Sequence, residues 1–427
     1  MSVHPLRKGE RLAISTAGSS NMISNYDGDV QPETKAVPAE HSKALYVTAI
    51  VLVALALRPG IVSVGPVLYE VKSTFNLSYW SSSLLTSIPD FLMGLLALPT
   101  PWLARRFGRD RVILTALSLL TAAMIWRALA QSASVLMLTT FGVGMGIAVV
   151  GTLLSGFVKA RFASRAAIIM GIYSTALAIG SAASAVVTAP ISQLSGSWRL
   201  ALGGWAILSA IGLVSWLLIA RHEVRLNKSA PSRGADHHPL PWGNPQAWRI
   251  AIYFASLNLI FYAMVAWIAG IYTEVGLAPS QAGLLLGSFT AAFTISSAVI
   301  GWLSKSIDRR GWLGAGAIFT ITGLLMLATA PSFLPVVAVS TTAVGLGIAF
   351  PLAMTLPLDN TKTVAATNAW TAFVLTVGYL ITSLGPMAVG ALRDLTGSFQ
   401  LSVFLLVAVA ACMLIVAPFL KPQPKVA

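Results

Sequence analysis

Long apolar runs dominate this chain, and each has the length a helix needs to cross roughly 30 Å of hydrocarbon. They fall at 45–68, 81–103, 112–131, 134–157, 167–190, 199–220, 250–273, 281–303, 313–330, 333–356, 367–389 and 399–420. Hydrocarbon offers no water to satisfy peptide groups, so runs of this kind are expected to be helical. The predicted fold class is therefore an all-α integral membrane protein with twelve transmembrane helices. The shortest connection lies between the ninth and tenth runs, beside Pro331 and Pro335. Composition agrees. Of 427 residues, 56% are hydrophobic and only 10% charged, where a soluble domain carries nearer a quarter.

A net charge of +14 would suit nucleic acid if the basic residues formed one face. They fall instead in short clusters between the apolar runs. Arg105, Arg106, Arg109, Arg111, Lys159, Arg161 and Arg165 lie on the side of the termini, as do Arg221, Arg225, Lys228, Arg233, Arg249, Lys305, Arg309, Arg310 and Lys362. The other side keeps Lys72, Arg199 and Arg393. Under the positive-inside rule both termini are expected in the cytoplasm, with the lipid bilayer rather than nucleic acid as the surrounding partner.

Cys412 is the only cysteine, and the histidines (His4, His41, His222, His237, His238) lie in the tails and the central polar stretch. A disulfide, a metal site or a histidine relay within the membrane is therefore not expected. No phosphate-binding loop, nucleotide fingerprint or nucleophile elbow stands in the sequence, so no cofactor is expected and no enzyme is predicted.

The chain repeats itself. Residues 143–202 align without a gap onto 344–403 at a shift of 201, and 77–103 align onto 277–303 at a shift of 200. Val143-Gly144-Met145-Gly146-Ile147-Ala148 matches Val344-Gly345-Leu346-Gly347-Ile348-Ala349. Two parallel six-helix halves follow, an arrangement used by secondary transporters. The expected organisation is a disordered cytoplasmic tail at 1–43, without the apolar core of a signal peptide. A first bundle at 44–220, a cytoplasmic linker at 221–249, a second bundle at 250–420 and a short cytoplasmic tail at 421–427 complete it.

The loop Leu103-Ala104-Arg105-Arg106-Phe107-Gly108-Arg109 resembles the conformational loop of major facilitators, which follows their second helix. The departures are Pro101 for the pattern's first glycine, Arg105 for its aspartate and Asp110 for its final basic residue. In that family the aspartate locks one conformer through a charge pair, so Asp110 or Asp308 is the expected substitute here. Within the superfamily the chain resembles the cyanate/2-nitroimidazole branch over most of 45–420. The resemblance rests on Leu57-Arg58-Pro59, Gly65-Pro66, Arg127, Phe261-Tyr262, Trp267, and Gly378-Tyr379 through Gly385-Pro386, Gly390 and Asp394-x-Thr396-Gly397-Ser398. It implies the major facilitator fold, a bacterial inner (plasma) membrane location and a monomeric carrier of a small-molecule substrate. Ala56 stands where the branch has an asparagine, Leu375 where it has a glutamine, and Asp90 where it has an apolar residue. These differences imply a substrate unlike those for which the branch is named.

Few charges remain at membrane depth. Asp90 is the one acid inside a predicted span, and Arg58 and Arg127 are the bases. Arg58 lies roughly 20 Å from the cytoplasmic edge and Asp90 roughly 15 Å from the outer edge, at 1.5 Å per residue. The two could meet as a structural ion pair, or they could handle substrate and protons. Arg127 is close enough to the outer surface to snorkel, which gives it a structural reading beside the substrate one. Pro59-Gly60 and Gly65-Pro66 interrupt the first helix, and interrupted helices often line transport sites. Asn258 and Tyr262, four apart, share one face. Trp267 lies nearer the outer interface, where an aromatic-belt role is the alternative.

The substrate-binding candidates are therefore Arg58, Asn258, Tyr262, Trp267 and Arg127, with Asp90 for proton coupling and Arg105, Arg106, Gly108 and Arg109 for the conformational loop. The leading function is a secondary carrier for a small anionic or polar organic solute, with proton coupling through Asp90. A broad exporter of aromatic or apolar compounds and a transporter-like receptor are the alternatives.

Overall fold

The computed structural model describes residues 40–162, 165–226, 239–304, 306 and 308–422, and every regular element among them is helical. The first span, Ala44–Phe75, is built from α1 (Glu40–Leu57), α2 (Pro59–Val62) and α3 (Val64–Phe75). Proline lacks the amide that would continue α1, so the helix breaks at Arg58 and restarts with Pro59 in its first turn. The Arg58 carbonyl accepts from the Ile61 and Val62 amides at 3.1 and 3.0 Å. The second break falls at Ser63, ahead of the predicted Gly65-Pro66, because Pro66 fits the first turn of α3 and needs no interruption.

The second span is α4 (Tyr79–Ala97) followed by α5 (Pro99–Phe107), bent by 64° at Leu98. Then come α6 (Arg109–Ala128), α7 (Ala133–Arg161), α8 (Ala166–Ser195), and the sixth span formed by α9 (Trp198–Gly203) and α10 (Ala206–Leu226). The later part contains α11 (Pro245–Glu274), α12 (Pro279–Leu303), α13 (Arg310–Thr329), α14 (Pro335–Asp359), α15 (Val364–Thr382), α16 (Leu384–Thr396) and α17 (Gln400–Val416). Eleven helices among the described residues are long and apolar enough to cross a membrane, and the bent pair α4–α5 makes twelve. The first and eleventh spans run about two turns beyond their predicted ends, to Phe75 and Thr396. Those added turns carry Glu70, Lys72, Arg393 and Asp394, whose polarity masks them in a hydropathy reading.

Packing repeats with the sequence. In the first six spans α6 lies on α7, α4 on α7, α1 on α8 and α10, and α10 on α6. The same partnerships recur as α13 on α14, α12 on α14, α11 on α15 and α17, and α13 on α17. The two sets meet where α4 packs on α15 and α16, α8 on α12, and α3 on α11 and α12. Two of these seams, second span on eleventh and fifth on eighth, are equivalents of one another.

Small residues bring the seams close. Gly65 of α3 approaches the Val265 carbonyl of α11 so closely that any Cβ would collide with it. Gly94 of α4 faces Leu380 of α15, where a Cβ would stand 2.8 Å from the backbone nitrogen. Without water to expel, such contacts are what hold membrane helices together.

Candidate functional site between the two sets of helices

Arg58 stands at the break between α1 and α2, near the middle of its span, and is half-buried. Its Nη1 donates to the Tyr262 hydroxyl of α11 at 2.5 Å, and its guanidinium lies 5.8 Å from that ring's centroid. A charge at mid-membrane must face protein or water. Arg58 meets this by reaching across to the other set of helices. Tyr379 of α15 presents its ring 6.4 Å from that of Tyr262, and Tyr173 of α8 is an electrostatic neighbour of the same guanidinium. Four spans from both sets thus converge on one positive charge. Tyr173 and Tyr379 were missed as site residues in the sequence, because a lone tyrosine in an apolar run carries no signal of its direction.

Asp90 is fully buried on α4, and neither carboxylate oxygen has a hydrogen-bond partner. Arg58 is its electrostatic neighbour, yet the two make no ion pair within 4.0 Å among the described contacts. The expected structural pair is therefore not made in this conformer, because the guanidinium is turned to Tyr262. Ser87 and Gly94 share the Asp90 face of α4, one turn to either side. The face packs on α15 at Thr376 and Leu380. The Ser87 Oγ and Thr376 Oγ1 are also buried without a partner. This seam therefore holds three buried polar side chains whose oxygens lack partners.

The other candidates divide. Asn258 is buried on the Tyr262 face of α11, and its Nδ2 donates to the Phe254 carbonyl at 2.8 Å. Arg127 is fully buried and does not snorkel. Its Nη1 donates to the Gly60 carbonyl at 3.0 Å and its Nη2 to Thr140 Oγ1 at 3.1 Å. The carbonyls freed where α1 breaks need a donor, and Arg127 supplies it. This takes Arg127 from the substrate group and makes it a bracket for the break. Trp267 is neither beside Arg58 nor at a lipid interface. It is buried, donates from Nε1 to the Pro386 carbonyl at 2.9 Å, and packs on Tyr79 and Phe399 at 5.6 and 5.4 Å.

That aromatic cluster belongs to a closure at the Tyr79 end of the junction that sequence reasoning overlooked. Asp394 of α16 accepts from the Tyr79 and Trp80 amides at 2.9 and 2.8 Å, so it caps the N-terminus of α4 from the opposite set of helices. The Tyr79 hydroxyl donates to Glu274 at 3.1 Å, and Arg393 pairs with Glu274 at 2.6 Å. A carboxylate on a helix N-terminus gains from both orphan amides and the helix dipole.

The conformational loop is organised within its own set. Gly108 takes φ +88, Arg109 pairs with Asp110 at 3.0 Å and lies over Phe157, and Arg106 lies over Trp102 and Phe107. Arg105 is exposed. Asp308 pairs with Arg310 at 2.6 Å, and those hydrogen bonds hold its carboxyl at about 2. Among the described residues neither Asp110 nor Asp308 reaches the other set, so neither stands in for the aspartate missing from the loop.

Twelve spans in two repeated sets, with a charged site at their mid-depth junction, define a polytopic membrane transporter. The chain belongs to the Major Facilitator Superfamily, which it matches over residues 50–275 and again over 267–427. Its relatives place it in the cyanate/2-nitroimidazole branch. It is 29% identical to the cyanate transport protein CynX of Escherichia coli over 82% of this chain and 90% of that one. It is 27% identical to the 2-nitroimidazole transporter of the same organism, over 88% and 95%. Among solved structures, a bacterial homologue of the human lysosomal transporter Spinster, in an inward-facing and unoccupied conformation, superposes with a TM-score of 0.73. That likeness covers 91% of this chain and all of that one at 17% identity.

Proposed function

We propose that this transporter carries a small anionic or polar organic solute by alternating access, with Asp90 taking up the coupled proton, in a bacterial inner membrane with both termini cytoplasmic. The observation that carries the reading is Arg58, a permanent charge held between the two sets of helices by Tyr262. A guanidinium offers a planar fork that suits carboxylate-like groups. Its partner here is a neutral hydroxyl, which an anion can displace without breaking an ion pair. The family resemblance to a cyanate carrier supports an anionic cargo. An exporter of apolar compounds would be favoured by Arg58 turned out of the junction, and here it points in.

Coupling follows from what lies beside the arginine. Asp90 is an unpaired acid close enough to sense Arg58. An acid that alternates between a guanidinium and an apolar wall changes its proton affinity as the halves rock. An anion on Arg58 competes for the same guanidinium and so ties the two bindings together.

In proteoliposomes Arg58→Lys keeps the charge and loses the fork, and uptake of an identified anionic substrate should fall at least about tenfold, one hydrogen-bonded charge contact. Normal uptake by Arg58→Lys and Arg58→Ala would end the anion reading. Asp90→Asn imitates the protonated acid, and it should abolish pH-driven accumulation while sparing exchange between preloaded vesicles. Unchanged pH-driven uptake would make Asp90 structural. For orientation, cysteines at Ser73 and Ser195 should react with an impermeant reagent in whole cells and one at Ser306 should not; the reverse pattern overturns it.

A further inference from the structure

Six aromatic side chains form a band, a closed chain of ring contacts on one side of the junction, all from the second set of helices, with Tyr262 beside Arg58. Phe261 packs on Phe293 at 4.6 Å between centroids, Phe293 on Phe350 at 5.6 Å, and Phe350 on Phe254 at 6.3 Å. Phe254 packs on Tyr379 at 5.7 Å, Tyr379 on Tyr262 at 6.4 Å, and Tyr262 returns to Phe261 at 5.3 Å. They come from α11, α12, α14 and α15. Five of them stand near the middle of their spans, and Phe254 lies two turns nearer the inner end of α11.

The band is not simply core. Phe293 and Phe350 are only partly buried although they stand at mid-membrane on interior contacts, as is Arg58, which lies over the Tyr262 member. Asn258 shares the α11 face with Phe254 and Tyr262 and adds the polar side chain of that face. The polar ends near the band and Arg58 are therefore one guanidinium, the hydroxyls of Tyr262, Tyr379 and Tyr173, one amide and the Asp90 carboxyl. A compact inorganic anion would have to shed its hydration there against mostly carbon. A flat ring gains stacking and edge contacts with aromatic walls that an aliphatic body of equal size does not.

We infer that the substrate is a planar aromatic or heteroaromatic monoanion, whose ring lies against this band while its carboxylate-like group meets Arg58. The inference rests on the reading of Arg58 as an anion anchor and adds the class of the solute's body. A single positive charge also limits the solute to one negative charge once Asp90 has taken up its proton.

The test uses the full-length protein in nanodiscs and titration calorimetry with four probes: benzoate, cyclohexanecarboxylate, benzamide and cyanate. Benzoate should bind about tenfold more tightly than cyclohexanecarboxylate, the gain expected from two aromatic contacts. Phe293→Leu and Phe350→Leu should weaken benzoate more than cyclohexanecarboxylate and bring the ratio of the two affinities toward one. Equal binding of the two acids by the native chain overturns the aromatic class and leaves the Arg58 anchor standing. Benzamide binding as tightly as benzoate overturns the anchor and with it the monoanion. Binding of cyanate alone, or of none of the four, overturns the proposal, and these native-chain comparisons decide even where a leucine variant fails to fold.

Discussion

In the proposed orientation, the outer and inner ends of this transporter solve the same problem in opposite ways. At the outer end, polar groups are satisfied across the junction: Asp394 caps α4, Tyr79 reaches Glu274, and Arg393 lies 4.7 Å over the Tyr79 ring. At the inner end, Arg109 pairs with Asp110, Arg309 with Asp359 at 2.8 Å, and Arg310 with Asp308, each within its own set of helices. Opening outside therefore breaks charge-assisted hydrogen bonds, whereas opening inside breaks none of these pairs. The difference teaches that this conformer is closed at the end that carries Tyr79 and Asp394, and that its bias is written in Asp394. The missing aspartate of the inner loop, replaced by Arg105, fits the same asymmetry.

Three measurements would break or sharpen this contrast, and all can be read by pulsed electron resonance between spin labels at the exposed outer residues Ser73 and Ser398. The largest effect is expected from Gly65→Ala. Its new Cβ would strike the Val265 carbonyl, a backbone atom that cannot swing aside. Overpacking of this kind costs about 1–3 kcal/mol, so the outward-open population should rise about tenfold or more. An unchanged distance distribution would mean that the seam is looser than its geometry.

Asp394→Asn comes next. The amide keeps one acceptor but loses the charge and the dipole term, together about 1 kcal/mol for a helix cap. The outward-open population should rise roughly fivefold, while Asp359→Asn at the inner end should leave it unchanged. Equal shifts from both variants would dissolve the asymmetry.

The smallest effect concerns Asp308. Its carboxyl is held at about 2 by Arg310, below its ordinary value. A depressed acid contributes its stabilisation above its unfolded value and loses it only as pH falls through the folded one. Between pH 5 and 8 the group stays ionised, and it is exposed enough for solvent to screen it. Asp308→Asn should therefore leave the pH dependence of the distance distribution unaltered over that range. A change would give the inner loop a role in sensing protons.

The sequence by itself determined the spans, their sidedness as an expectation, and the internal repeat, because each follows from local composition in a solvent that forbids unpaired backbone. It also singled out Arg58, Tyr262 and Asp90, since a polar group in an apolar run costs too much to be idle. Only the tertiary structure decided what these residues do to one another. Arg58 and Tyr262 are 204 positions apart, and Tyr79 and Asp394 are 315 apart. Hydropathy carries no phase information about which face of a helix meets which neighbour, so it left Arg127 between a substrate contact and the lipid surface, and Trp267 between a substrate contact and an aromatic belt. Packing turned both inward, where they donate to the Gly60 and Pro386 carbonyls. The aromatic band was hidden for the same physical reason: a phenylalanine in a membrane helix is unremarkable until its neighbours from three other helices are beside it.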